Sequence, residues 1–555
     1  MRAAWIRAVA VQRTLRRVVR AFSVLATIAT IALIVATSAS AGTFAPAAPM
    51  VTGRYYHSTT LLANGKVLVA GGNRAIPTAP FFEFLDSAEM YDPGTGGWSS
   101  AGTLSPSLAY HVAVPLPNGK LLIIGGCEPT APAPPQLYDP ATNQWTYAGT
   151  TIPPTRLFPT ATLLPDGRVL ITGGLASSRG GPVLKSAQLF DPATNAWTNV
   201  PDMGHRRVDH TATLLPNGKV LIAGGRTVLS QSTNGSRIAP AELYDPATNT
   251  WSSGGTLVQA RDRHTATLLL DGTVLVTGGE GPMPSPFTGT VDVELRSAEI
   301  YDPVLNQWSL TSSSTECEQP TEELEPVILA GCMADTRTTH FAIRLPNGNV
   351  LVTGGIGLKS AEEYVPSARQ FVATGNMTVA REQHSGALLP NGKPLILGGW
   401  NAFGGPNATL NSAEIYSGVP ATVPGPPVIG TARAGNAQAW VKFSPPSSNG
   451  GSPVTGYTIT SIPAGGVDAD AGSNALEHVM TNLTNGVSYR FTARATNGVG
   501  TGAPSAMSNA VTPGLNAPTI CAGFNDVAAG DSLCRNVQWL RNRAVTLGCT
   551  GSERR

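Results

Sequence analysis

Apolar and polar residues alternate along most of this chain in short runs broken by Gly- or Pro-containing pairs, and the runs recur as a unit. One unit reads HTATLLPNGKVLIAGG, then a variable stretch, then AELYDPATNTW, then GTLVQAR. Alternation at period two predicts strands. The two-residue pair between the first two runs predicts a tight hairpin, because Asn, Asp and Gly tolerate the positive φ such a turn needs. These pairs stand at Asn64-Gly65, Asn118-Gly119, Asp166-Gly167, Asn217-Gly218, Asp271-Gly272, Asn347-Gly348 and Asn391-Gly392. A second hairpin breaks at Asp-Pro, as at Asp92-Pro93 and Asp245-Pro246, and its far strand opens on Trp98, Trp145, Trp197, Trp251, Trp308 or, in the sixth unit, Phe371. Gly-Gly pairs close the first hairpin at Gly71, Gly125, Gly173, Gly224, Gly278, Gly354 and Gly398. Seven units of four strands are therefore expected.

The ends of the array complement one another. The seventh unit stops after Ala413-Glu414-Ile415-Tyr416 without an aromatic fourth strand, while the chain begins with a strand that lacks an earlier hairpin. Phe44, Met50 and Arg54 keep the spacing of Trp197, Met203 and Arg207. The N-terminal segment is thus expected to supply the outer strand of the seventh unit, which pairs both loose edges.

Composition agrees with a turn-rich β protein. The chain has 555 residues with Gly 61, Pro 45, 42% apolar and only 13% charged residues, where an ordinary soluble chain carries about 25%. Residues 1–41 form a basic segment with Arg2, Arg7, Arg13, Arg16, Arg17 and Arg20, an apolar run from Ala21 to Ala36, and Ala39-Ser40-Ala41, so signal cleavage is expected between Ala41 and Gly42. Its removal takes the net charge from +2 to −4, which leaves no basic footprint for nucleic acid.

Four strands per unit with a Gly pair and a Trp resemble the Kelch repeat of β-propellers, over residues 43–417. The resemblance implies an all-β fold, a seven-bladed propeller over 42–419 that displays loops for binding. After a linker at 420–424, the alternating strands around Trp440, Tyr457 and Leu483-to-Tyr489 resemble a fibronectin type III domain over 425–513, which implies Trp440 in the sandwich core and Tyr489 in a tyrosine corner. Phe524-x-Asp526-Val527 and Val537-x-Trp539-Leu540, within 514–555, resemble the opening of an S-layer homology motif. That implies association with the cell envelope.

Residues repeated in every unit are better explained by architecture than by a site used once. These are Arg three positions before the leading His, Glu or Gln in the third strand, and the six leader histidines, His57, His111, His210, His264, His340 and His384. Strand direction places the Gly pairs, the long variable loops and the leaders on one face and the uniform turns on the other. Binding is expected on the variable face, near Tyr56, His57, Tyr110, His111, Phe81, Phe82 and Phe287. An insertion from Ser309 to Thr336 is acidic and holds Cys317 and Cys332, which are expected to pair in an exported chain. Cys534 and Cys549 are a second candidate pair; Cys127 and Cys521 remain.

Secreted Kelch propellers resemble the central domain of galactose oxidase, a copper radical enzyme. Tyr56-His57 and Tyr110-His111 look like its Tyr-His pair, and His478 stands as the candidate for its further His, but the leaders contain no Cys for its Tyr-Cys cross-link. The expectation is an exported binding or adhesion protein without a cofactor, for a polysaccharide or extracellular protein. The alternatives are a copper-radical carbohydrate oxidase and a structural surface protein.

Overall fold

The computed structural model describes residues 42–76, 82–127, 134–149, 156–176, 181–228, 236–285, 289–312, 317, 331–405, 408–418, 422–446, 449–450, 454–497 and 499–514. The leader with Ala41, the tail with Cys521, Cys534 and Cys549, and the loop residues Phe81 and Phe287 lie outside these residues.

Seven four-stranded antiparallel sheets precede residue 418, and no α-helix occurs among the described residues. In the fourth blade Thr211–Leu214, Val220–Ala223, Pro240–Asp245 and Thr250–Thr256 follow in spatial order, with Val220 opposite Tyr244 and Tyr244 opposite Trp251. The first strand of each blade touches the first strand of the next, and Ser58–Leu61 touches Ser385–Leu388, so the array closes into a ring around these inner strands. The closing sheet joins the two ends of the array: Thr43–Ala47 pairs with Ala413–Ser417, with Phe44 opposite Tyr416. Two of the variable loops carry hairpins of their own, Asn73–Ala75 with Phe82–Phe84 and Glu280–Ser285 with Gly289–Glu294.

The second strand of each ring blade departs from simple alternation. In Val67–Ala70, Val169–Thr172, Val220–Ala223 and Val350–Thr353 all four residues are buried. A blade in a ring is covered on both faces by its neighbours, so its central strands bury both sets of side chains.

Each repeated residue ties one blade to the next. Trp251 packs its ring 5.0 Å from Tyr244 in its own blade and donates its indole N–H to the carbonyl of Pro201 before the fourth blade. Trp98, Trp145, Trp197 and Trp308 make the equivalent bond to Ala48, Ala101, Ala148 and Gly254. The leader histidines reach the same preceding blade at the inner strands: Nε2 of His111 is hydrogen-bonded to Ser58 at 3.0 Å, that of His264 to Thr211 at 3.0 Å, and that of His57 to Ser385 at 2.7 Å across the ring closure. The first Gly of each pair is where that ring passes. A Cβ on Gly224 would overlap the imidazole of His264, and one on Gly398 that of His57. In the third blade Pro159 replaces the histidine and lies against Gly125.

After residue 425 the strands Val428–Ala434, Ala439–Ser444, Glu477–Thr481 and Val467–Asp468 form one sheet, and Val454–Ile462 with Arg490–Asn497 another. Their inner faces bury Val441, Phe443, Tyr457, Ile459, Phe491 and Ala493. The hydroxyl of Tyr489 accepts the N–H of Thr484, which is the tyrosine corner. Trp440 departs from expectation. Ala439, Val441 and Phe443 take the inward positions, so period two turns Trp440 away from the core and against Gly435.

Burial pushes the pKa of His111 down to about 4 and of His210 and His340 to about 3, with nearby Arg charges adding to the effect at the latter two. His57, His264 and His384 are also held well below the ordinary value, chiefly by burial. All six are neutral in the folded ring near pH 7 and regain an ordinary value of about 6.5 on unfolding. Stability that is complete above pH 6.5 must therefore be lost as pH falls through it. Calorimetry in buffers of different ionisation enthalpy is expected to find net proton uptake on unfolding near pH 5, to which each of these histidines contributes about one proton and from which the raised carboxyl groups subtract, with a matching fall in Tm as pH falls from 6.5.

Candidate functional site

The leader segments enter the ring beside a fully buried arginine. Arg261 donates to the carbonyls of Gly278 and Ser297 and meets Glu299 at 2.8 Å; neither side chain is exposed. Glu299 also accepts the backbone N–H groups of Val258 and Gln259, so one carboxylate holds the arginine and the incoming strand connection. Arg54 with Glu89, Arg207 with Glu242, Arg337 with Glu362 and Arg381 with Glu414 repeat the arrangement. Removing one partner of such a pair leaves an uncompensated buried charge, a loss of about 3–5 kcal/mol. In the third blade Arg156 keeps the carbonyls of Gly173 and Ser186 but meets neutral Gln188 in place of the carboxylate, and burial lowers its pKa to about 10. The second blade has Leu108 in place of the arginine, buried among apolar side chains.

Two residues beyond that arginine position, every blade turns left-handed at a residue other than glycine. Tyr56, Tyr110, Phe158, Asp209, Arg263, Thr339 and Gln383 all have φ between 51° and 62°. This conformation costs about 1–3 kcal/mol per residue and is worst for a β-branched side chain such as Thr339. The turn aims backbone groups around the ring. Tyr110 donates its N–H to the carbonyl of Tyr56, Phe158 to Tyr110, Arg263 to Asp209, Thr339 to Arg263, Gln383 to Thr339 and Tyr56 to Gln383. These seven residues and the histidines that follow line a cavity of about 390 Å3.

The side chains of this ring divide the mouth in two. On one side Tyr56, Tyr110 and Phe158 cluster, with ring centroids 4.6 Å apart for the two tyrosines and 4.8 Å for Tyr110 and Phe158. Phe84 continues this surface from its loop hairpin, followed by Phe82, while Tyr55 and Trp400 extend it on the other flank. On the other side Asp209 pairs with Arg226 at 2.7 Å, Arg263 with Glu280 at 2.7 Å, and Arg237 with Asp262, Glu280 and Asp292. Thr339 donates to Glu382. Burial raises the carboxyl groups of Glu382 and Glu294, each further raised by a neighbouring carboxylate. It also raises Asp262 to about 6 despite its arginine partners.

Of the residues expected at the site, Tyr56 and Tyr110 stand in the mouth and Phe82 at its rim. His57 and His111 line the cavity but direct Nε2 to the neighbouring blade. Sequence reasoning passed over Phe158, Asp209, Arg263, Thr339 and Gln383. The signal was present: one column of the repeat, always directly before the His or Pro, that is aromatic in the first three units and changes class in each of the next four.

No group of three His, Cys, Asp or Glu residues among those described stands close enough to share a metal. Burial, with Tyr110 beside it, raises the phenol of Tyr56. His478 is buried within the sandwich, where Nδ1 meets Asp468 at 3.0 Å. Cys317 and Cys332 are joined by a disulfide with Cα atoms 5.8 Å apart. Of the acids in that insertion, Asp335 bonds Ser360 and Arg337, while Glu316, Glu318, Glu322, Glu323 and Glu325 lie outside the described residues.

A family model of the Kelch motif matches residues 156–204, and one of the fibronectin type III domain matches 425–511. The chain is 26% identical over 271 residues to Kelch-like protein 23 of Homo sapiens, covering 48% of this chain and 42% of that protein. It is 30% identical over 212 residues to Kelch-like protein 38 of Rattus norvegicus, covering 38% and 33%. It thus spans less than half the length of the curated relatives it matches. A solved fungal alcohol oxidase of the AA5 family, in complex with copper, superposes with a TM-score of 0.50 at 15% identity, over 86% of this chain and 100% of that one. This is a likeness of fold.

A carboxyl group raised in the folded state stabilises the fold while protonated, and that contribution is lost as pH rises from about 4 through the folded value. The side-chain 13C signal of Asp262 is expected to titrate near pH 6. Over pH 4.5–7 the Asp262→Asn variant is expected to lack the share of the stability change that this group contributes. Titration near 4 would contradict the burial argument.

Proposed function

Taking as premise that one chain joins a Kelch-repeat propeller to a fibronectin type III domain, we propose that it is an exported binding protein whose ring mouth takes a polysaccharide. The observation that carries this reading is the divergence at the left-handed ring position. The backbone is the same in every blade, while the side chains form an aromatic wall facing a wall of carboxylates and guanidinium groups. Such a pairing suits a sugar: aromatic faces pack on its C–H surfaces, and charged groups held by their neighbours bond its hydroxyls. The basic, apolar leader supports export, and the tail after residue 514 supports association with the cell envelope. The fibronectin-like domain then serves as a spacer between propeller and envelope.

A protein ligand is the second reading, supported by the length and variety of the loops around the mouth. A glycan array probed with the processed full chain separates the two. Binding to a defined glycan is expected, with Tyr56→Ala and Arg263→Ala each weakening it at least tenfold while shifting Tm by only a few degrees. Binding that survives both substitutions unchanged would remove the mouth from consideration. An array without hits, together with captured extracellular protein lost in the same variants, would favour the protein ligand.

A further inference from the structure

The point where the ring closes contains a buried acid that pairs with no cation among the described residues. Glu363, in the third strand of the sixth blade, is 7% exposed, and each of its oxygens accepts one neutral hydrogen bond, from Asn349 at 2.8 Å and from the Tyr416 hydroxyl at 2.5 Å. No ion pair reaches it among the described residues, although Glu89, Glu242, Glu299, Glu362 and Glu414 of the third strands each face an arginine. Tyr416 is fully buried, its hydroxyl is also bonded to Thr374, and burial together with Glu363 holds its phenol firmly protonated.

Gly42 lies against this group. It is buried, its carbonyl accepts the N–H of Gly375, and a Cβ on it would overlap the hydroxyl of Tyr416. Covalent geometry then places its backbone nitrogen within roughly 7 Å of the Glu363 carboxylate. Gly42 is also the residue that would begin the chain after cleavage behind Ala39-Ser40-Ala41.

We propose that cleavage before Gly42 supplies the missing cation, so that the new α-ammonium group lies beside Glu363 and completes the seventh blade. Water adds across the Ala41–Gly42 amide under a signal-peptidase-type hydrolase; Ala41 leaves as a carboxylate, and the amine on Gly42 takes a proton. Tyr416 and Thr374 face this amine, with Glu363 and Asn349 behind them, while Arg381 and Glu414 nearby are paired with each other. An uncut chain holds a neutral amide at this position. Export and final stability are therefore coupled through one bond. The proposal rests on the export reading above and on ring closure, and is independent of any ligand.

The test uses the full chain recovered after export. Its first residue is expected to be Gly42. The 13C signal of its reductively dimethylated α-amine is expected to titrate at least one unit above the same signal in the unfolded chain, where the amine is near an ordinary 7.7. An amine raised in this way stabilises fully below its unfolded value, and the contribution is lost as pH rises through the folded one. Acetylating the α-amine is thus expected to lower Tm at pH 7 by a few degrees, with the difference closing above pH 10, and Glu363→Gln to return the amine to its ordinary value. A first residue other than Gly42, an amine that titrates as in the unfolded chain, or a shift that survives Glu363→Gln would each overturn the proposal. If Glu363→Gln does not fold, the titration of the unsubstituted chain decides alone.

Discussion

The buried arginine–carboxylate clamp is the interaction on which the rest of the ring depends. It does three things from one place: the guanidinium group holds the end of the second strand through the Gly carbonyl, the carboxylate holds the incoming connection, and the arginine's own carbonyl accepts the N–H of the second Gly in the preceding blade. Strand order, blade spacing and the entry of the leader are thus set by a group that cannot be exposed without loss. Hydrophobic contact between blades contributes little direction, whereas the clamp, an ion pair in five of the seven blades, fixes where those leaders begin their turn.

That fixed start makes the mouth possible. A left-handed residue two positions beyond the arginine is strained, and the strain is tolerated because the clamp before it, the interblade histidine or proline after it, and the tangential backbone bonds together leave no other course. Once the backbone is held in this way, the turn no longer dictates which side chain stands at that position. It varies from Tyr and Phe to Asp, Arg, Thr and Gln, and the variation is sorted by sector: aromatic in blades one to three, polar or charged in blades four to seven.

Much of the fold was legible because its cues are local. Asn-Gly turns, Gly pairs and the Trp column each require only a few residues of context, and the spacing of Phe44, Met50 and Arg54 matched the missing outer strand. The site was less legible. Tyr56 and Tyr110 were found through their likeness to a Tyr-His pair, while Phe158, Asp209 and Arg263 share no chemistry and are united only by φ, which composition does not reveal. Trp440 was misplaced because a large aromatic suggested a core, although period two from Val441 and Phe443 already turned it outward. The hairpins within two variable loops escaped notice because neither carries an Asn-Gly turn.

The account's central claim is that the ring of left-handed residues is the ligand site and the repeated Arg, Glu and His positions are its frame. Hydrogen–deuterium exchange of the processed chain, with and without a glycan that binds it, tests this most directly. The account predicts new protection concentrated at residues 55–57, 109–111, 157–159, 208–210, 262–264, 338–340 and 382–384. Protection confined to the Asn-Gly turns on the opposite face, or to residues 428–511, would contradict it.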